Sequence, residues 1–171
     1  KSSTANATHA LLRLCGARAH LGGNIGASLL PELAAIRTED FVVLELSSYQ
    51  LEALSGGAGA ARAEAVAVVN ILPDHLERHG TLAAYAAAKQ RILALLKPGG
   101  HALLPLDDER FADWQVAGVK PGSTTRDTGR GLFVRAGAFH LDDEVLGRVE
   151  DLKLPGEFQR ANALVALGLA R

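Results

Sequence analysis

Two nearly unbroken apolar runs, Phe41-Val42-Val43-Leu44-Glu45-Leu46 and residues 65–72, each stop at polar residues and are flanked by helix-like segments. A strand with one wet face alternates apolar and polar residues, whereas one covered by helices on both faces reads as a continuous apolar run. Strands of this second kind alternating with helices call for a parallel α/β sheet. The 171 residues suit one domain with a substantial core.

The remaining pattern fills in the same frame. Residues 2–14 place Ala7, Ala10, Leu11 and Leu14 at helical spacing, and Gly16 offers a stop. Residues 17–21 predict a short strand leading into Gly22-Gly23-Asn24-Ile25-Gly26, with a helix over 28–36. Residues 82–96 predict a long helix with Tyr85, Ala88, Ile92 and Leu95 on one side. Pro98-Gly99-Gly100 would end it, and 101–106 would return as a strand. Beyond Pro121 the character changes: segments at 132–135, 139–141 and 145–149, separated by Ala136-Gly137 and Asp142-Asp143, predict a small antiparallel meander. A final helix is expected over 157–171. The small residues Gly56, Gly57, Ala58, Gly59 and Ala60 read as a flexible loop. The fold class is therefore a mostly parallel Rossmann-like or P-loop-type sheet flanked by helices, with that meander near the C-terminal part.

Composition excludes several functions. A net charge of −1 provides no global basic field for nucleic acid or an anionic membrane. Cys15 is the only cysteine, so neither an intrachain disulfide nor a thiolate cluster can form. No apolar stretch approaches the ~20 residues that cross a bilayer. A chain without Met that opens on Lys1 is expected to be an internal piece of a longer polypeptide.

Four places carry candidate chemistry. Lys1-Ser2-Ser3-Thr4 before a helix matches the end of a GxxxxGK[ST] phosphate loop, in which ammonium and hydroxyl serve phosphates and magnesium. Taken alone, the four residues read better as a solvated terminus with Ser or Thr capping a helix. The GGNIG loop either approaches a ligand through its backbone or makes a tight turn with Asn24 left-handed. Glu45 ends an apolar strand, with Ser47, Ser48 and Gln50 just beyond. A buried carboxylate there needs a cation or donors, which favours magnesium over a simple solvated strand end. In Asn70-Ile71-Leu72-Pro73-Asp74-His75, the imidazole of His75 could bind metal or orient a phosphate while Asp74 fixes its tautomer; the alternative is a turn. His79 reads as a surface residue, and Lys89 as a solvated helical charge. Asn162, amid Ala161, Ala163 and Leu164, needs a partner that an internal contact would supply as well as a ligand.

Taken in order and spacing, Lys1-Ser2-Ser3-Thr4, GGNIG, Glu45-Leu46-Ser47-Ser48-Tyr49-Gln50-Leu51, Asn70 to His75, Leu76-Glu77-Arg78-His79 and Tyr85-Ala86-Ala87-Ala88-Lys89 resemble the Mur ligases. Within that family, GGNIG with ELSSxQL is similar to the branch that adds D-glutamate to UDP-N-acetylmuramoyl-L-alanine. The resemblance implies that residues 1–171 are the single central ATP-binding domain. The UDP-binding and C-terminal domains, and a strand with the glycine-rich half of the phosphate loop, would lie outside it. That strand is expected near the middle of the sheet.

It also implies ATP-dependent amide-bond formation through an acyl phosphate in cytoplasmic peptidoglycan precursor synthesis, by a monomer with no nucleic-acid or membrane partner. Lys1, His75 and Lys89 would be catalytic. Lys1, Ser2, Ser3 and Asn162 would bind the nucleotide, and Asn24, Ser47 and Gln50 would face the substrate. Ser2, Glu45, His75 and Lys89 would hold Mg2+, Lys89 as a carbamate. Phe158-Gln159 stand where the family has His-Asn, so nucleotide contacts from those two positions are in doubt. The readings outside ligation are a nucleotide-binding ATPase, or a non-catalytic scaffold that uses the meander.

Overall fold

The computed structural model describes residues 1–26, 28–54, 62–74, 76–105, 108–114, the backbone of 119–123, 127, 129–153 and 156–171. The expected loop at 56–60 and the candidate ligand His75 lie outside the described residues. Helix α1, Ser2–Leu14, leads into β1, Ala19–Gly23, and a 3-10 helix over Leu30–Ala35 leads into β2, Phe41–Glu45. Then come α2, Ser48–Leu54; β3, Ala63–Ala67; α3, Leu76–His79; and α4, Leu82–Gln90, which tightens to 3-10 geometry over Arg91–Leu95. Strands β4, Leu96–Pro105; β5, Val119–Ser123; β6, Leu132–Arg135; β7, Ala138–Leu141; and β8, Glu144–Arg148 precede α5, Glu157–Leu169.

The strands form two sheets. β1 and β2 pair in parallel, and a six-stranded sheet runs β3-β4-β5-β6-β7-β8. In the larger sheet β3, β4, β5 and β6 are parallel, while β6, β7 and β8 form the antiparallel meander. The fold class is the one the patterning implies. Among the described residues, β2 and β3 share no ladder, and a cavity of about 1080 Å³ lies beside both. Phe41, Val42 and Leu44 on β2 are correspondingly exposed.

β4 shows why an apolar run signals two covered faces. Ala102 and Leu104 join Val66, Val68, Ile71, Tyr85, Phe111 and Trp114 in one core cluster. Leu103, between them, points the other way, to Leu132, Phe139 and Leu164 of α5. Successive side chains alternate faces, so a strand with helices above and below buries them all.

Several boundaries differ from expectation for identifiable reasons. Pro98-Gly99-Gly100 does not end an element but lies inside β4. The register with β3 jumps from Ala63↔Leu96 to Ala65↔His101, so an irregularity absorbs these residues. β5 carries Pro121, which lacks an amide donor and hides a central strand from pattern reading. The helix over 82–96 is shorter as an α-helix, but its named face is right: Tyr85, Ala88 and Leu95 are buried. Its start is fixed by Thr81, whose Oγ1 accepts from the Ala84 amide at 3.1 Å.

α1 has the expected bounds but buries another face. Thr4, Ala5, Thr8 and Leu12 are inside, whereas Leu14 is 84% exposed. The threonines tolerate burial because Thr8 Oγ1 donates to the Thr4 carbonyl at 3.0 Å and Thr4 Oγ1 donates to Asn162 Oδ1 at 3.0 Å. Leu103→Ala should therefore cost about 2–5 kcal/mol in urea unfolding, and Leu14→Ala about 0.5 kcal/mol or less. Equal losses at the two positions would contradict this placement.

Candidate active site

Glu45 ends β2 beside the C-terminal end of β1, where parallel sheets present ligand sites. It is only 5% exposed. Ser2 Oγ donates to its Oε2 at 2.5 Å, Asn24 Nδ2 donates to Oε1 at 3.3 Å, and Lys1 Nζ lies 3.6 Å from Oε1. The α1 start, the GGNIG loop and the β2 end thus converge on one carboxylate.

The glycine loop is built for this contact. Gly23 has φ +95, and a Cβ there would lie 2.2 Å from the Glu45 carbonyl oxygen. The next amide, Asn24 N–H, donates to that same oxygen at 2.7 Å. Only a residue without a side chain lets β1 close on β2 here. The turn places Gly23 and Gly26, and not Asn24 as the turn reading expected, at positive φ, and Asn24 directs its side chain to Glu45.

Burial pushes the Glu45 carboxyl up, but the Ser2 and Asn24 hydrogen bonds and the Lys1 charge outweigh it and hold the group below its ordinary value. Lys89 shifts for the complementary reason. Burial holds its amine below the ordinary value, Lys1 lowers it further, and Asp74 and Glu45 oppose the shift. Lys1, Glu45, Asp74 and Lys89 are therefore electrostatic neighbours, and Lys89 is not the freely solvated charge that helical patterning suggests. Its Nζ stands 4.8 Å from the centroid of the Tyr85 ring.

The other expected site residues are placed as follows. Ser3 is exposed in the first turn of α1. Ser47 and Gln50 form a capping box at the start of α2: Ser47 N–H and Oγ donate to Gln50 Oε1 at 2.9 and 3.0 Å, and Gln50 N–H donates back to Ser47 Oγ at 3.2 Å. Asn162 accepts from Thr4 and donates to Gln159 Oε1 at 3.0 Å, joining α5 to α1. In sequence, Thr4 and Gln159 stand inside motifs that give neither this linking role, which exists only once α1 and α5 meet.

No three His, Cys, Asp or Glu side chains cluster for a metal among the described residues. Hard oxygen donors do meet at Glu45 and Ser2, a pair suited to magnesium with waters and phosphates completing its shell. The N-terminus of α1 opens beside the Lys1 ammonium with no acidic residue in its first turn among the described residues, a combination of dipole and charge that favours an anion.

The Mur ligase middle domain profile matches residues 1–170. The chain belongs to the Mur ligase family. Among curated relatives, it is 35% identical to the UDP-N-acetylmuramoylalanine–D-glutamate ligase of Pelotomaculum thermopropionicum over 100% of this chain and 38% of that protein. It is 38% identical to the enzyme of the same name from Mycobacterium avium, over 100% of this chain and 35% of that protein. The chain thus spans little more than a third of these Mur ligases. In fold it is similar to MurF from Acinetobacter baumannii, with TM-score 0.69, 20% identity and coverage of 98% of this chain and 39% of that one. It is likewise similar to the UDP-N-acetylmuramate:L-alanyl-γ-D-glutamyl-meso-diaminopimelate ligase from Neisseria meningitides, with TM-score 0.68, 19% identity and coverage of 98% of this chain and 56% of that one.

A depressed carboxyl stabilises the fold above its ordinary value of 4.5, and the contribution is lost as pH falls through the lower native value. Unfolding measured from about pH 6 to pH 3 should show a steeper acid loss in the parent than in Glu45→Gln. Parallel profiles would remove the argument.

Proposed function

We propose that this Mur ligase domain serves ATP-dependent addition of D-glutamate to UDP-N-acetylmuramoyl-L-alanine, in the cytoplasm, as part of a longer monomeric enzyme. The observation that carries the reading is the convergence of Lys1, Ser2 and Asn24 on Glu45, with Lys89 within electrostatic reach. The names of the curated relatives support the choice of substrate pair.

Magnesium-ATP, when bound, supplies the phosphoryl group that turns a carboxylate into an acyl phosphate open to amine attack. The chain's own residues manage charge around that transfer. Lys1, at the α1 N-terminus, offsets the negative charge that accumulates where phosphates meet a carboxylate. Ser2 and Glu45 would present adjacent oxygens to the magnesium, and His75 would add a donor. Asn24 and Ser2 hold the Glu45 carboxylate by one hydrogen bond to each oxygen, and each oxygen keeps a further lone pair. Ser3 completes the phosphate-binding turn.

Ser47 and Gln50 would reach the substrate by giving up part of their capping box, and Asn162 would reach adenine by releasing Gln159. The cavity bounded by β2 and β3 has room for the expected additional parallel strand, and Lys1 on its lining is where such a strand would join α1.

Lys89 would act as a carbamate. Its neutral amine adds carbon dioxide to form an N–C bond and releases a proton, which exchanges a cation for an anionic oxygen ligand suited to magnesium. Burial that lowers the amine's pKa raises the reactive neutral fraction. In the complete enzyme, Lys89→Ala should lower D-glutamate-dependent phosphate release by about a hundredfold or more, with partial rescue by a small carboxylate. Full activity in the variant would remove the carbamate role. Phosphate release that ignores D-glutamate would instead mark an ATPase.

A further inference from the structure

His79 ends α3 and was expected at the surface, yet its side chain is only 3% exposed. Nε2 lies 3.0 Å from Ser48 Oγ, and Nδ1 faces Glu52 Oε1 at 3.6 Å. The ring stacks on Tyr49, with 5.8 Å between centroids and planes 20° apart, and tilts against Tyr85 at 5.3 Å. Arg78 covers the Tyr49 ring at 4.7 Å. One imidazole therefore touches both α2 and α4.

These two helices carry opposite flanks of the candidate site. Ser48 directly follows the Glu45-Leu46-Ser47 segment at the end of β2. Tyr85 stands one helical turn before Lys89 and carries the Lys89 ammonium against its ring. A continuous line of contacts thus runs from the β2 exit through Ser48, His79 and Tyr85 to Lys89. We propose that His79 is a positioning residue that fixes Lys89 relative to Glu45 by bridging Ser48 and Tyr85.

The Ser48, His79 and Glu52 order is also that of an acyl-transfer triad. The geometry argues otherwise. Ser48 is 3% exposed, which shuts its hydroxyl away from a substrate carbonyl, and the Glu52 contact is beyond hydrogen-bond reach. The cluster orients; it does not attack.

The effect on catalysis rests on the ligase reading, so the test has two readouts. The complete enzyme is assayed for kcat and KM, and in parallel is labelled with 3-fluorotyrosine, with Tyr49→Phe and Tyr85→Phe assigning the two signals. His79→Ala should lower kcat about tenfold to a hundredfold while KM moves less than about threefold. It should also shift both fluorine signals. His79→Gln, which keeps a polar group near the Nε2 position, should recover much of the loss, and adding Ser48→Ala to His79→Ala should cost little more. A kcat within about twofold of the parent, fully additive losses, or a fall in thermal midpoint alone would overturn the proposal. If the parent makes no D-glutamyl product, the ligase reading fails on its own. The fluorine signals still decide His79, and unmoved Tyr49 and Tyr85 resonances would overturn it.

Discussion

A buried carboxylate is expensive unless charge and donors meet it, and Glu45 at the end of β2 sets that condition for everything around it. Three segments far apart in sequence supply the answer: the first turn of α1, the glycine loop after β1, and β2 itself. Each arrives in a way its own sequence permits. Gly23 allows the close approach of two backbones, Lys1 and Ser2 open a helix whose N-terminal amides carry positive potential, and Asn24 follows the turn directly. The same features that make the carboxylate tolerable in the fold make the place suitable for phosphates and a hard cation.

The surrounding polar groups divide between holding and binding. Ser47 and Gln50 satisfy the start of α2, and Asn162 ties α5 to α1 through Thr4. A rigid frame of this kind holds reacting groups in place, which is where much of an enzyme's advantage lies. His79 extends that frame to α4. The half-buried Lys89 then lies within electrostatic reach of Lys1, Glu45 and Asp74, its amine held below the ordinary value by burial first and by Lys1.

Much of the architecture was legible along the chain. The continuous apolar runs announced strands, although Phe41, Val42 and Leu44 leave β2 exposed and not covered on both faces, and Tyr85, Ala88 and Leu95 marked the buried side of α4. Errors arose where local chemistry and tertiary context disagree. Pro98-Gly99-Gly100 looks like a terminator, but β3 accepts it by a shift of register. Pro121 conceals β5. On α1, Leu14 looks like core and Thr4 and Thr8 do not. Yet α5 offers Thr4 a hydrogen bond, and the helix backbone satisfies Thr8.

The sequence by itself determined the α/β class, the order of the chemical groups and the membership of Glu45 in a polar site, because strand periodicity and a charge inside an apolar run are local signals. Only the tertiary structure decided which donors answer Glu45, that Lys89 is half-buried, and that His79 lies inside between two helices. Those are distances between residues up to 158 positions apart, as for Thr4 and Asn162. They follow from how sheets and helices pack, and no local pattern encodes them.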